Sequence, residues 1–402
     1  MRPPSLPLKR NLKVLICPDK FKGTLDSRAA ARAMALGVQE HFAPEAVELY
    51  LRPLADGGEG SLNVLSELRP ELLREESLLH DPAGRLRPVA WLCKQDQFFL
   101  ESALVIGLEL PGVREIPLLD RSTAGIGEWI VALPEQARVS IFLGGSGTSD
   151  GGFGIARAIG FRFLDRKGQE VTHLRGLPAA VRVLAPTSGP RDQRYVFYSD
   201  VQSPLLGPRG AAHLYGPQKG ADASEVRLLE SCIAHQATLL CECVGEDRHS
   251  AVPGLGAAGG LALPLLYLRG SQSSFESGIG FFLEMAELPQ LLAGPPDLVL
   301  TGEGRTDRGS AEGKLIAGVY EAWRKSGPGE SRFLVVSGQL QDRSVVQDAL
   351  PLARLFDTID LVGPPGDWPI AGPEAEDRLR RATRAALHRS APDREPGVST
   401  DP

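Results

Sequence analysis

The sequence predicts an α/β protein: a parallel sheet with crossover helices, and a second α/β domain inserted into it. Three observations predict this. Short unbroken aliphatic runs recur along the chain and stop at glycine or aspartate, the pattern of strands buried on both faces. Helical patterns lie between those runs, and strand-then-helix repetition implies a parallel sheet. The chain has 402 residues, more than one domain usually holds.

The strands come in order. Residues 14–17 stop at Pro18-Asp19, and 47–51 lead to Ala55-Asp56-Gly57-Gly58. Residues 139–143 end at Gly144-Gly145, and 298–300 end at Thr301-Gly302-Glu303-Gly304. The last two runs are 333–336, stopping at Ser337-Gly338, and 355–361, stopping at Val362-Gly363. Helices are expected over 27–41, 61–68, 125–133, 153–159 and 315–323. The first places Ala30, Ala33, Met34 and Val38 on one face. Residues 76–115 and 160–285 show shorter, mixed runs and are assigned to the inserted domain. The sheet domain then takes 11–75, 116–159 and 286–390, with disordered tails expected at 1–10 and 391–402.

Composition excludes several functions. A net charge of −6 argues against a nucleic-acid partner, which demands a basic face. No apolar run is long enough to span a bilayer; the longest, 261–268, contains Pro264. The five cysteines are scattered and odd in number, so reduced thiols in the cytoplasm are expected rather than a disulfide framework. The seven histidines show no metal spacing, and there is no Gly-x-Ser-x-Gly elbow.

The chemistry-bearing residues fall where the strands end, which is where ligands bind in such sheets. Gly144-Gly145-Ser146-Gly147-Thr148-Ser149-Asp150-Gly151-Gly152 lies between a strand and a helix. Glycines let the backbone approach an anion, and the following helix N-terminus favours negative charge. It is no Walker A loop: the nearest approach, Gly309-Ser310-Ala311-Glu312-Gly313-Lys314-Leu315, has Leu315 where a hydroxyl is needed. Lys20 and Lys22 after the first strand can neutralise phosphate or carboxylate. Asp56 and Glu59 could hold magnesium or accept a hydroxyl proton; their spacing of three also fits a helix capping box. Asp200, ending the run 195–198, is a candidate base or metal ligand. Gln218 and Lys219 sit on a tight turn, and Arg305 offers a bidentate fork, with Lys314 downstream. Aspartates and cations on glycine loops suit phosphoryl transfer, which needs positioning and charge neutralisation more than a covalent nucleophile.

These segments, in this order, resemble the type I glycerate kinase family over roughly residues 13–340. The matching residues are Pro18-Asp19…Phe21-Lys22-Gly23, Ala55-Asp56-Gly57-Gly58-Glu59-Gly60, the 144–152 loop, Asp200-Val201…Pro204-Leu205 and Gly216-Pro217-Gln218-Lys219-Gly220. Gly256-Ala257-Ala258-Gly259-Gly260 and Thr301-Gly302-Glu303-Gly304-Arg305…Asp307…Gly313-Lys314 complete the set.

The resemblance implies ATP-dependent phosphorylation of D-glycerate at its 2-hydroxyl, with Mg2+. It implies a Rossmann-like domain and a second α/β domain with the active site in the cleft between them, as a monomer or homodimer. On this expectation Asp200 is the base, with Asp56 and Asp150 as alternatives or as ligands to magnesium. Lys22, Arg305 and Lys314 neutralise phosphate or carboxylate, and Gly145, Ser146, Gly147 and Thr148 hold a phosphate through backbone donors. Gln218 and Lys219 line the substrate side. Lys20, Ser149, Ser203 and Gly309 depart from the family pattern, which keeps another small hydroxy acid open as substrate. A non-catalytic module that binds nucleotide or sugar acid is the further alternative.

Overall fold

The structure, a computed structural model, describes residues 11–190, 192–311, 314–357 and 371–390. The expected tails, residues 358–361 of the last aliphatic run and Gly313 lie outside the described residues. Contacts divide the chain into two compact units, Met1–Leu54 with Leu283–Pro402, and Ala55–Phe282.

The first unit is built on five parallel strands. Leu12–Ile16 is an inner strand, flanked by Val47–Leu51 on one side and by Leu298–Thr301, Arg332–Ser337 and Ala353–Asp357 on the other. In chain order this is 2-1-3-4-5, a doubly wound, Rossmann-like arrangement of the flavodoxin type. Val14, Leu15 and Ile16 are buried on both faces, as are Leu298, Val299 and Leu300, so each strand reads as a continuous apolar run. The helix Ser27–His41 starts where Asp26 accepts from the Ala29 amide at 2.7 Å. Its alanine-rich face meets the helix Pro373–Ser390, and a Cβ on Gly37 would lie 2.5 Å from the Arg380 carbonyl oxygen.

The second unit holds a mixed six-stranded sheet. Gln272–Glu276, Arg194–Tyr198, Arg138–Phe142 and Gln97–Glu101 run parallel, and Leu86–Lys94 and Leu73–His80 continue the sheet antiparallel. Its core gathers Trp129, Tyr195, Phe197, Phe153 and Phe163 with the long helix Ala223–Val244. That helix carries a capping box between Asp222 and Glu225.

The division corrects the expected domain boundaries. Residues 55–75 and 116–159 belong to the second unit, because Arg138–Phe142 pairs with Gln97–Glu101 on one side and Arg194–Tyr198 on the other. A parallel strand followed by a helix looks the same in either sheet, so hydrophobic period could not assign the 139–143 run to one of them. The run of short mixed segments expected to be the whole insert is only part of it.

Glycines decide how closely strand ends approach. In the first unit a Cβ on Gly302 would lie 1.9 Å from the Val336 carbonyl oxygen, whereas Gly294 has open space. Gly302→Ala is therefore expected to lower the melting temperature by several degrees, on the scale of ~1–3 kcal/mol for overpacking, while Gly294→Ala leaves it unchanged in the same thermal melt.

Candidate active site

In the second unit, the carboxyl ends of three neighbouring parallel strands, Arg138–Phe142, Arg194–Tyr198 and Gln272–Glu276, carry loops that touch backbone to backbone with one another and with the Asp56 turn, which leads into the helix Ser61–Leu68. A Cβ on Gly144 would sit 2.4 Å from Gly58 Cα, and one on Gly278 would sit 2.3 Å from the Asp56 carbonyl oxygen. Gly57, at φ +83°, packs against the Tyr198 carbonyl. The Gly144 amide donates to Gly57 O at 3.1 Å and the Leu143 amide to Tyr198 O at 3.1 Å. This close meeting brings the Asp56 and Asp200 turns together.

Asp200 ends the Arg194–Tyr198 strand and is half-buried. Its Oδ1 accepts from Ser277 Oγ at 2.7 Å, and its Oδ2 from the Ile279 amide at 3.1 Å. Burial raises its pKa, and the charge of Asp56 adds to the rise, while the hydrogen bonds from Ser277 and Ile279 oppose it. A carboxylate held in fixed orientation with raised basicity is suited to accept a proton from a hydroxyl. A pocket of about 350 Å³ opens beside it, lined by Ser199, Gln202, Gly254, Glu276 and Ser277 among others.

Asp56 is half-buried, and its Oδ1 accepts from the Gly58 amide at 3.0 Å. The capping-box alternative does not hold: the helix Ser61–Leu68 has Gly60 at its N-cap. Glu101, at the end of its own strand, serves that helix instead, accepting from Gly60 N at 2.9 Å and Leu62 N at 3.0 Å. Sequence reasoning passed over Glu101. The signal was a carboxylate closing the apolar run Phe98-Phe99-Leu100.

The 144–152 loop differs from the expected phosphate cradle. Only Gly144 and Gly145 show appreciable surface; residues 146–152 are buried. The Gly147 amide is committed to Ile106 O at 2.6 Å, and Thr148 is fully buried, so neither is an open backbone donor as expected. Asp150 is also corrected. It accepts from Thr123 N and Oγ1, Gly152 N and Gly154 N, at 2.9–3.0 Å, inside the protein. Those four bonds use a carboxylate's acceptor capacity, so Asp150 builds the loop and does not ligate magnesium or a nucleotide.

Lys219 does not line an open substrate surface either. It is buried, and its ammonium donates to Thr148 O at 2.6 Å, Ser146 Oγ at 3.1 Å and Ser149 Oγ at 3.4 Å. Burial first, then repulsion from Arg121, lowers its pKa to about 7, against the pull of Asp150. Arg121, missed in the sequence, is buried on the same loop and donates to Gly147 O at 2.9 Å. No local pattern marked it, because its tie to the loop is to a main-chain carbonyl 26 residues away, while its other partners are the Ile116 and Arg114 carbonyls. Gln218, beside Lys219, is exposed.

The remaining predicted residues belong to the first unit. Its strand-end loops interlock through Gly302, Gly304 and Gly338, and the Asp19 amide donates to Gly302 O at 2.9 Å. This is the switch point of the sheet, where the strand order reverses. Lys22, Arg305 and Lys314 are exposed. Lys314 stands at the N-cap of Leu315–Lys325, and its Nζ would lie 3.1 Å from a Cβ on Gly309. Beneath them Glu303 has a buried Oε1 with no hydrogen-bond partner. Burial first, and then Asp19, raise its pKa to about 7, opposed by Ser310, Lys314 and Thr306. Among the described residues, no group of three or more His, Cys, Asp or Glu side chains is placed to hold a metal ion.

A doubly wound sheet with cations at its switch point, and a second sheet whose strand ends carry Asp200 and glycine loops packed on the Asp56 turn, define an α/β enzyme of the phosphotransferase kind. Residues 14–389 match the glycerate kinase family. The chain is 33% identical over 318 residues to the glycerate kinase of Bacillus subtilis (strain 168), covering 77% of this chain and 81% of that protein. It is 31% identical over 361 residues to the glycerate 2-kinase of Escherichia coli (strain K12), covering 88% and 92%. A crystal structure of a Salmonella typhimurium LT2 protein assigned as glycerate kinase 2 superposes with a TM-score of 0.73 at 26% identity, covering 95% of this chain and 99% of that one. The chain belongs to the glycerate kinase family.

Glu303 gives a signed pH dependence. Its folded pKa of about 7 exceeds the ordinary value of 4.5, so the folded state holds the extra proton and stability falls as pH rises from 4.5 through 7. Glu303→Gln is therefore expected to raise the melting temperature at pH 8 and to leave it nearly unchanged at pH 4.5, where the wild-type carboxyl is already protonated in the folded protein.

Proposed function

We propose that this chain transfers the γ-phosphoryl group of ATP to the 2-hydroxyl of D-glycerate, giving 2-phosphoglycerate and ADP. The observation that carries this is Asp200: a half-buried carboxylate of raised pKa, fixed by Ser277 and Ile279 next to Asp56, in a chain of this family. Asp200 takes the hydroxyl proton as the oxygen attacks phosphorus. The exposed Lys22, Arg305 and Lys314 at the strand ends of the first unit neutralise the triphosphate.

Magnesium, when bound, neutralises charge on the transferring phosphates. It keeps most of its waters and needs only one or two carboxylates beyond the nucleotide, so the lack of a three-ligand cluster among the described residues does not conflict with it. Asp56 fits such a ligand, being partly exposed on a glycine turn. The five free thiols suit a reducing compartment such as the cytoplasm. Among the described residues, no helix is long and apolar enough to cross a membrane.

Two of the four departures from the family pattern are buried. Ser149 accepts from Lys219, and Ser203 is bonded to Tyr215 at 3.0 Å. Their exchange alters internal packing more than substrate contact, which favours glycerate over a different hydroxy acid.

Incubation with ATP, Mg2+ and D-glycerate, followed by phosphorus NMR, should yield 2-phosphoglycerate; a 3-phosphoglycerate product, or faster turnover of another hydroxy acid in a panel, would overturn the reading. Asp200→Asn should lower kcat roughly 10²-fold or more at saturating substrates. For Asp150→Asn, a thermal melt should give a lower melting temperature, and a Mg2+ titration of the rate should give no change in the concentration needed for half-maximal rate.

A further inference from the structure

The 144–152 loop rests on two buried cations. Lys219 reaches it from the turn Pro217–Lys219 and bonds Thr148 O, and Arg121 bonds the adjacent Gly147 O. The one buried carboxylate on the loop is Asp150. While Lys219 is protonated, two positive charges against one negative charge leave a positive excess beneath the loop, which is stabilised by an anion at its mouth. The groups facing Lys219 are Arg121, Asp150 and the Tyr215 ring, whose centroid is 5.9 Å from the ammonium. Glu225 bears on Arg121 from the helix behind.

Lys219 cannot meet that anion itself. An ammonium has three protons, and all three point at Thr148 O, Ser146 Oγ and Ser149 Oγ. A hydroxyl oxygen that accepts from an ammonium still has its own proton to give, and it gives it more strongly for being polarised. Ser149 is sealed inside, at no measurable exposure, whereas Ser146 keeps 8% of its surface and adjoins the exposed Gly145. Ser146 is also locked in place. Leu108 N donates to Gly145 O at 3.0 Å and Gly147 N to Ile106 O at 2.6 Å, pinning the backbone on either side of it. Thr148 Oγ1, buried in the same loop, has no hydrogen-bond partner, so the protein alone does not close the loop's polar capacity.

We propose that the Ser146 hydroxyl is a donor to a substrate oxyanion at the open end of the loop, and that Lys219 is the positioning residue that polarises it. The oxyanion is either the carboxylate of the acceptor acid or an oxygen of the transferring phosphoryl group. The proposal rests on the reading of the chain as a glycerate kinase. It replaces the cradle of several backbone donors by one directed side-chain donor, supported from below by a charge that never touches substrate.

The experiment is steady-state kinetics on Ser146→Ala, Lys219→Met and the double variant, with ATP and D-glycerate varied in turn. A wild-type protein that turns over no glycerate sinks the functional reading and not this assignment alone. With an active wild type, each single variant should lose at least tenfold in kcat/KM, and the double variant should be no worse than Lys219→Met within a factor of three. A rise in KM for glycerate identifies the carboxylate as the oxyanion, and a fall in kcat identifies the phosphoryl group. Losses that multiply in the double variant, or a Ser146→Ala enzyme within twofold of wild type, overturn the proposal.

The pH profile gives a second readout that does not depend on Lys219→Met folding. Lys219 is charged below its pKa of about 7 and loses the charge above it, so the wild-type kcat/KM should fall as pH rises through 7. That limb should vanish in Ser146→Ala, through which the charge acts. Its persistence there would show that Lys219 supports the loop only as a prop.

Discussion

Everything in the second unit's site depends on main chain approaching main chain without a side chain between. Gly58 against Gly144, and Gly278 against Asp56, leave less room than a methyl group needs. Those contacts fix the turns that bear Asp56 and Asp200, so the distance between two carboxylates is set by backbone packing rather than by rotamers of long side chains. The first unit repeats the device with Gly302, Gly304 and Gly338 at its own strand ends. Glycine here is less a source of freedom than a way to obtain rigidity at short range.

Electrostatics at the two sets of strand ends run in opposite senses. Under the 144–152 loop the buried excess is positive, from Arg121 and the protonated Lys219. At the switch point of the first unit the buried group is the Glu303 carboxyl, with the cations Lys22, Arg305 and Lys314 kept in solvent. Both arrangements displace a titration toward neutrality, Lys219 downward and Glu303 upward, each to about 7. A buried group that can change charge near neutral pH costs stability, and such costs concentrate where a protein does chemistry.

Much of the fold was legible in the sequence because it rests on local signals. The helices Ser27–His41 and Ser61–Leu68 fall where the pattern of apolar faces and flanking turns placed them, and each of the six runs read as strands became one within the described residues. What escaped was membership and direction. Arg138–Phe142 has the composition of a buried parallel strand, and nothing within it says which sheet it joins. The candidate site shows the same boundary. Asp200 was readable as a carboxylate at a strand end. Asp150 was read as a ligand because its type and loop fit, yet its four partners lie inward, on Thr123 and on the loop itself. Arg121 and Glu101 act on main-chain groups far away in sequence, which no spacing rule encodes.

The contact between Asp56 and Gly278 bears on how the chain is put together as it is made. The inner strand Leu12–Ile16 must find Leu298–Thr301, and Lys13 N bonds Asp297 across 284 positions. Joining two such distant segments of an open chain is slow, since the intervening loop loses its freedom first. Here the inserted unit ties its own beginning to its own end, at Asp56 and Gly278. That tie closes most of the loop between Leu12–Ile16 and Leu298–Thr301 within the second unit itself. The chain that must still be ordered for the remote strands to pair is then only the two short segments that flank that tie.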